Sequence, residues 1–293
     1  MTLEELLEYY RSPGPFTALG RFGAQIDAMS FDPATIAQVV QGLLMHEGWA
    51  PAYGVTMLDT RRAEKQLCGA HAMLDCAERL DAGPLCNARP PDRRVVGVCR
   101  HFATLFVAIA RHKHVPARAR CGFANYFEPG KHFDHWVAEY WNAQQQRWTL
   151  VDAQVDAVQA RIVKPQFDVL DVPRDRFLVA GDAWSMCRGG RADAKTFGVA
   201  GTDLWGLTEV FGDVWQDLAS LRKIELLPWG WYGLATADGA AERHADFVDR
   251  MAQISSRADP RAIDELGRLA ADDVRLVVPL TMLSAIEAAE GRA

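Results

Sequence analysis

The sequence predicts an α+β protein, and three observations carry that expectation. The first third has apolar residues at helical spacing. A cysteine, Cys99, then opens an apolar run from Phe102 to Ala110, whose length and freedom from Pro and Gly suit a buried helix. After it come short strand-like segments divided by polar turns, the pattern of an antiparallel hairpin. With 293 residues and 49% hydrophobic composition, the chain can bury a sizeable core as one large domain or two small ones.

Ser30-Phe31-Asp32-Pro33 reads as a helix start, with an Asp N-cap before Pro at the first helical position, and predicts a helix over 34–46. A second helix is expected over 58–80, with Leu67, Ala70, Leu74 and Ala77 on one face, stopped by Asp81-Ala82-Gly83-Pro84. Pro90-Pro91 marks a loop into the Cys99 helix. Beyond Val115-Pro116, strands are expected over 117–127, 135–141 and 147–152, with Glu128-Pro129-Gly130 closing the first. A polar turn, 142–146, joins the last two. The region 170–198 is mixed, with loop signals around Gly181-Asp182-Ala183-Trp184 and Gly189-Gly190. Helices are expected over 203–227, 241–255 and 260–271, followed by an apolar stretch. The division is 1–165, helices plus a catalytic core, and 166–293, a mostly helical extension packed on it in one globular unit.

The net charge of −6 gives no sign of a nucleic-acid surface. Basic runs at Arg89 to Arg94 and Arg111 to Arg120 are read as solvated edges. The N-terminus lacks the basic and apolar regions of a secretory signal, and no segment reaches the ~18 apolar residues of a membrane span. A cytoplasmic protein is expected. Its six cysteines need no disulfides there, and no Cys-x-x-Cys pair suggests a structural zinc site. No metal and no cofactor is expected.

Cys99 stands apart from the other cysteines by its company. At a helix N-terminus its sulfur would meet free backbone N–H groups and the helix dipole, which stabilise a thiolate. A thiolate attacks a carbonyl when a histidine base and a carboxylate stand nearby. Downstream, strand alternation puts His135, Val137 and Glu139 on one face and Trp136, Ala138 and Tyr140 on the other. Asp152, ending the partner strand, could fix the His135 tautomer by accepting its Nδ1–H. His132 is read as a loop residue. A metal site from Cys99, His132 and His135 would leave Asp152 unexplained. Asp217, Glu225, Trp229 and Trp231 crowd the end of the 203–227 helix and are read first as core packing. His112 and His114 are read as a solvated, positively charged helix end.

These residues resemble the transglutaminase-like superfamily, which shares a papain-like Cys-His-Asp arrangement. The matching elements are Gly97-Val98-Cys99-Arg100-His101-Phe102-Ala103, Val115-Pro116-Ala117-Arg118, His135-Trp136-Val137-Ala138-Glu139 and Trp148-Thr149-Leu150-Val151-Asp152, in that order. They cover roughly 93–160. Family members often carry Gly before the hydrophobic-Pro step, where this chain has His114.

The resemblance implies a bacterial-type cytoplasmic member with an antiparallel sheet packed on the nucleophile helix and extra helices at both ends. It implies Cys99 as nucleophile, His135 as base and then acid, and Asp152 as orienting acid. The expected activity is acyl transfer or hydrolysis at an amide or thioester, through a Cys99 acyl-enzyme, on a small-molecule or peptidyl substrate. Trp136 is read either as core or as a substrate-binding cleft wall. The Cys99 backbone N–H is one oxyanion donor, and the second has no clear sequence signature. The alternative is a catalytically silent binding or scaffold module on the same fold.

Overall fold

The computed structural model describes residues 1–283; the last ten residues of the expected 166–293 extension lie outside the described residues, with the end of its apolar stretch. α1 (Leu3–Arg11) starts with a reciprocal Thr2–Glu5 capping box, and α2 (Gly23–Asp27) follows. α3 (Pro33–Leu43) begins as expected: the Asp32 carboxylate accepts the Thr35 N–H at 2.8 Å and Pro33 takes the first helical position. It ends before residue 46 because Leu44–His46 leave the helix as strand β1. That strand pairs in parallel with β2 (Val95–Gly97), His46 opposite Gly97.

The expected 58–80 helix is two pieces. Asp59–Gln66 forms 3-10 turns with no buried residue, since almost every side chain there is polar and no apolar face exists to dock. Gly69 in extended conformation then starts α4 (Ala70–Leu80), which buries Ala70, Leu74 and Ala77. α5 (Cys99–His112) is buried from Cys99 through Arg111.

The main sheet contains β3 (Ala117–Ala124), β4 (His132–Asn142) and β5 (Arg147–Val151). After α6 (Ala157–Val163), the mixed region adds β6 (Phe177–Val179), α7 (Ala180–Arg188), which takes in the Gly181–Trp184 stretch read as a loop signal, and β7 (Phe197–Gly198). The order is β5-β4-β3-β6, antiparallel, with β7 pairing in parallel to the start of β4. That pairing, His132 to Phe197, makes His132 a strand residue and corrects its reading as a loop. α5 packs on β3 and β4, giving an α+β fold with a curled antiparallel sheet against helices.

Two features of the sheet edges position the site. β5 covers the outer edge of β4 only from Ala138 onward and β7 only at His132 and Phe133, leaving 134–137 open. Trp141 donates its N–H toward β3, to Pro116 O at 2.8 Å, so by alternation the Trp136 N–H points out through that gap. On the other edge, β6 pairs with β3 only from Gly122 to Ala124. α8 (Leu207–Leu221) lies along the remainder: Asp217 accepts the Cys121 N–H at 3.0 Å and the Ser220 hydroxyl donates to Ala119 O at 2.8 Å. Side chains thus replace the missing strand.

α9 (Ala240–Arg243), α10 (Ala245–Arg257) and α11 (Pro260–Asp272) complete the described chain, and α10 packs on α7 and α8. The basic run from Arg111 to Arg120 is not a solvated edge. Arg111, Arg118 and Arg120 are buried and paired with Glu225, Glu139 and Asp217, acids drawn from β4 and from the segment in and after α8. Arg89 is likewise buried, its guanidinium donating to the carbonyls of Asp81, Gly83, Pro84 and Asn87. His114 adopts φ of 58°, a left-handed conformation that glycine takes freely, at the step where the resembled family often has Gly.

Candidate active site

Cys99 is the first residue of α5, entered from the extended Val98. The turn is closed by His101, whose Nδ1 accepts the Val98 N–H at 3.1 Å, the work a Glu or Gln does at this position of a capping box. Burial holds His101 neutral, its pKa lowered to about 3. Gly97 is required by this packing, because a Cβ there would stand 2.9 Å from the His101 ring. The Cys99 sulfur accepts backbone N–H groups from Arg100 in its own helix and from Trp136 across the gap in β4. The neighbour of Trp136 is His135.

His135 and Asp152 meet at 2.9 Å, but through Nε2 and Oδ2 rather than through the expected Nδ1. β4 and β5 run antiparallel with Ala138 opposite Val151, so the side chain just past β5 reaches back to the histidine's outer nitrogen. Nδ1 is thereby left clear of Asp152. Asp152 also accepts the Tyr126 hydroxyl at 2.6 Å and the Gln154 N–H at 3.0 Å. Burial alone would raise its carboxyl; the charge of His135 and these bonds outweigh burial and hold it below the ordinary carboxylate value.

Tyr126, Phe127 and Phe177 wall His135, with ring centroids at 6.2, 5.0 and 6.4 Å, and Trp49 stands 6.4 Å from Phe127. Cys99, His135 and Asp152 are 6%, 3% and 0% exposed, so the constellation is closed from solvent. Burial, followed by the charge of Asp134, pushes the Cys99 thiol well above its ordinary value despite the two N–H groups that act the other way. Burial therefore works against the thiolate expected at a helix N-terminus.

Trp136 is 1% exposed and belongs to the buried apolar cluster that also holds residues of α3, α4 and α5; what it offers Cys99 is its backbone N–H. His132 is drawn away, stacked on Phe197 at 4.1 Å with Nδ1 on the Thr196 hydroxyl at 3.2 Å. It does not join Cys99 and His135.

Two neighbours were missed in the sequence. Tyr126 lies just past β3 and has no local sequence signal of its bond to Asp152. His46 was read as the end of a helix. Its Nδ1 accepts the Gly48 N–H at 3.1 Å, so the ring proton resides on Nε2. Burial, then the charge of His135, lowers its pKa to about 3, while Asp152 acts oppositely, which places this neutral imidazole beside the constellation.

Cys76, Cys99 and Cys121 are buried and Cys86 is exposed. Among the described residues, no helix is long and apolar enough to cross a membrane.

No curated protein matches the sequence. Among solved structures, a candidate cysteine protease from Cytophaga hutchinsonii is 15% identical over 51% of this chain and 42% of its own, with a TM-score of 0.33. The periplasmic domain of TgpA from Pseudomonas aeruginosa is 20% identical over 46% of this chain and 52% of its own, with a TM-score of 0.21. The chain therefore spans about half the length of these proteins or less. Residues 85–153, which hold Cys99, His135 and Asp152, match the transglutaminase-like superfamily.

Proposed function

We propose that the protein is a cysteine-dependent enzyme of amide or thioester chemistry, with Cys99 as nucleophile, His135 as base and then acid, and Asp152 as the group that orients His135. The observation that carries this reading is the meeting of α5 and β4: the Cys99 sulfur accepts the N–H of the residue next to a histidine whose Nε2 is fixed by a carboxylate. With Nε2 engaged, Nδ1 is the atom that takes the thiol proton as sulfur attacks the acyl carbon. His135 returns that proton to the leaving amine or thiol. Water or an acceptor amine then releases the acyl group from Cys99, giving hydrolysis or transfer.

Burial disfavours a resting thiolate at Cys99, so in this reading the base removes the thiol proton as sulfur attacks. The Cys99 backbone N–H supplies one donor to the developing oxyanion, and we assign the second to His46, held neutral with its proton on Nε2. Trp136 contributes through its backbone. We infer a cytoplasmic protein, and the closed, aromatic-walled site fits a small-molecule or peptidyl substrate.

The same burial favours a second reading, a binding module whose cysteine is never used. Intact-mass measurement on wild type and Cys99→Ala after incubation with a pool of small amides and thioesters, together with iodoacetamide labelling, separates the two. The enzyme reading expects a hydroxylamine-labile adduct on wild type alone and a loss of acylation of about 10²–10³-fold in His46→Ala. A Cys99 that forms no adduct and alkylates no faster than a free thiol establishes the binding module.

A further inference from the structure

Beside the proposed constellation, Cys121 on β3, Asp134 on β4 and Asp213 on α8 bring one donor atom each within 4.8 Å of one another. Cys121 stands opposite Trp136 in the β3–β4 register, and Asp134 immediately precedes His135. The three residues thus come from separate elements that converge behind the nucleophile. Asp213 is 4% exposed, and its Oδ2 has no hydrogen-bond partner; Asp134 Oδ1 is also buried without one. Among the described residues, no arginine or lysine pairs with either carboxylate, although the neighbouring buried acids Glu139 and Asp217 are fully supplied with arginines. Orphaned carboxylate oxygens facing a buried sulfur are costly to fold unless they hold protons or something cationic fills the space between them.

We propose that Cys121, Asp134 and Asp213 form a site for a borderline-soft divalent cation of the zinc class, pinning β3, β4 and α8 together. One thiolate and two carboxylates suit such an ion better than a hard one like magnesium, which takes oxygen alone. Zn–S and Zn–O bonds of about 2.3 and 2.0–2.2 Å hold donors closer than the 4.8 Å within which these lie, so the side chains draw together as the ion binds. On binding, a metal–sulfur bond replaces the S–H bond and the thiol proton leaves to solvent. Glu209, one helical turn before Asp213 on α8, is the side chain available to complete the set or to hold a bound water.

Cobalt(II) is the probe, added to reduced, chelator-treated full-length protein carrying Cys99→Ala so that the nucleophile cannot supply sulfur. The site predicts one cobalt per chain with a thiolate-to-metal charge-transfer band in the near ultraviolet, displaced by zinc. Cys121→Ser should abolish the band, and Asp213→Asn or Asp134→Asn should each weaken binding by about tenfold or more. Far-ultraviolet circular dichroism verifies folding, and the two Asn variants carry the test if Cys121→Ser does not fold. A band that needs Cys99, a band that survives Cys121→Ser, unchanged affinity in both Asn variants, or no cobalt bound to the folded protein overturns the proposal.

Discussion

Asp213 and Asp217 lie one turn apart on α8, both buried, and the structure treats them in opposite ways. Asp217 accepts two bonds from the Arg120 guanidinium at 3.0 and 2.9 Å, the Cys121 N–H at 3.0 Å and the Ser255 hydroxyl at 2.6 Å. Glu139 joins the same network, reached by Arg118 at 2.6 Å, by Arg120 at 3.2 Å and by Arg174. Asp213 has an orphaned oxygen and the acids Asp134, Glu209 and Asp217 as its charged neighbours. A fold able to place arginines on β3 for one acid leaves the next uncompensated. Buried carboxylates here fall into two kinds, those that hold elements together as ion pairs and those whose charge awaits something the chain itself does not provide.

The largest effect that tests this contrast is on the paired side. Asp217→Asn strands the Arg120 charge and weakens the edge cap of β3, and chemical denaturation should show a loss of about 3–5 kcal/mol. A loss below about 1 kcal/mol would erase the distinction between the two acids. The paired side also sets the acid limit of the fold. Burial alone would raise Glu139, but Arg118, Arg174 and Arg120 together hold it well below the ordinary carboxylate range. A depressed folded value contributes stability that is complete above the unfolded pKa of about 4.3 and is lost as pH falls toward the folded value. Unfolding free energy should therefore decline on acidification below that point, and Arg120→Met should shallow the decline.

Asp152 is an intermediate case, buried and fully bonded but without an arginine, its donors being His135, Tyr126 and the Gln154 backbone. Tyr126→Phe removes one bond to a charged acceptor and should cost about 1.5–3 kcal/mol. If the proposed chemistry is right, it should also slow acylation of Cys99, because Asp152 then has one fewer constraint while it orients His135. Unchanged stability would mean that water replaces the hydroxyl, and the site would be less closed than its burial indicates.

These contrasts explain what the sequence could and could not disclose. The cysteine at a helix start and the hairpin bearing His135 and Asp152 are local patterns, legible from periodicity, turn residues and ordered motifs. The departure at His114 was visible in the sequence, but only the structure gives its left-handed backbone conformation. The arginines were misread because a run of basic residues looks the same whether solvated or buried; only the arrival of Asp217 and Glu225 from a hundred residues downstream decides it. His46 was hidden by a helical pattern that ended early when β2 offered a strand partner. The strands β6 and β7 are so short that periodicity gives no signal, yet β7 defines the gap through which Trp136 reaches Cys99. Nitrogen choice on His135 depends on strand register and side-chain direction, neither of which a spacing in sequence contains.

The smallest expected effect is the most discriminating, because its sign is opposite to that of Asp217→Asn. In chelator-treated protein at neutral pH, Asp213→Asn replaces an acid that repels Asp134 with a neutral group of nearly the same shape, and retains an oxygen that can accept from Cys121. The fold should gain about 1 kcal/mol. With zinc present, the same substitution should forfeit the stabilisation that the ion gives to the wild type, so the order of stability reverses. Denaturation curves of wild type and Asp213→Asn, each with and without zinc, read both comparisons on one pair of proteins. A gain without zinc and no reversal with it would mean that Asp213 is merely a strained acid. A loss in both conditions would mean that Asp213 is as well compensated as Asp217, and that the orphaned oxygen is not a cost the native fold carries.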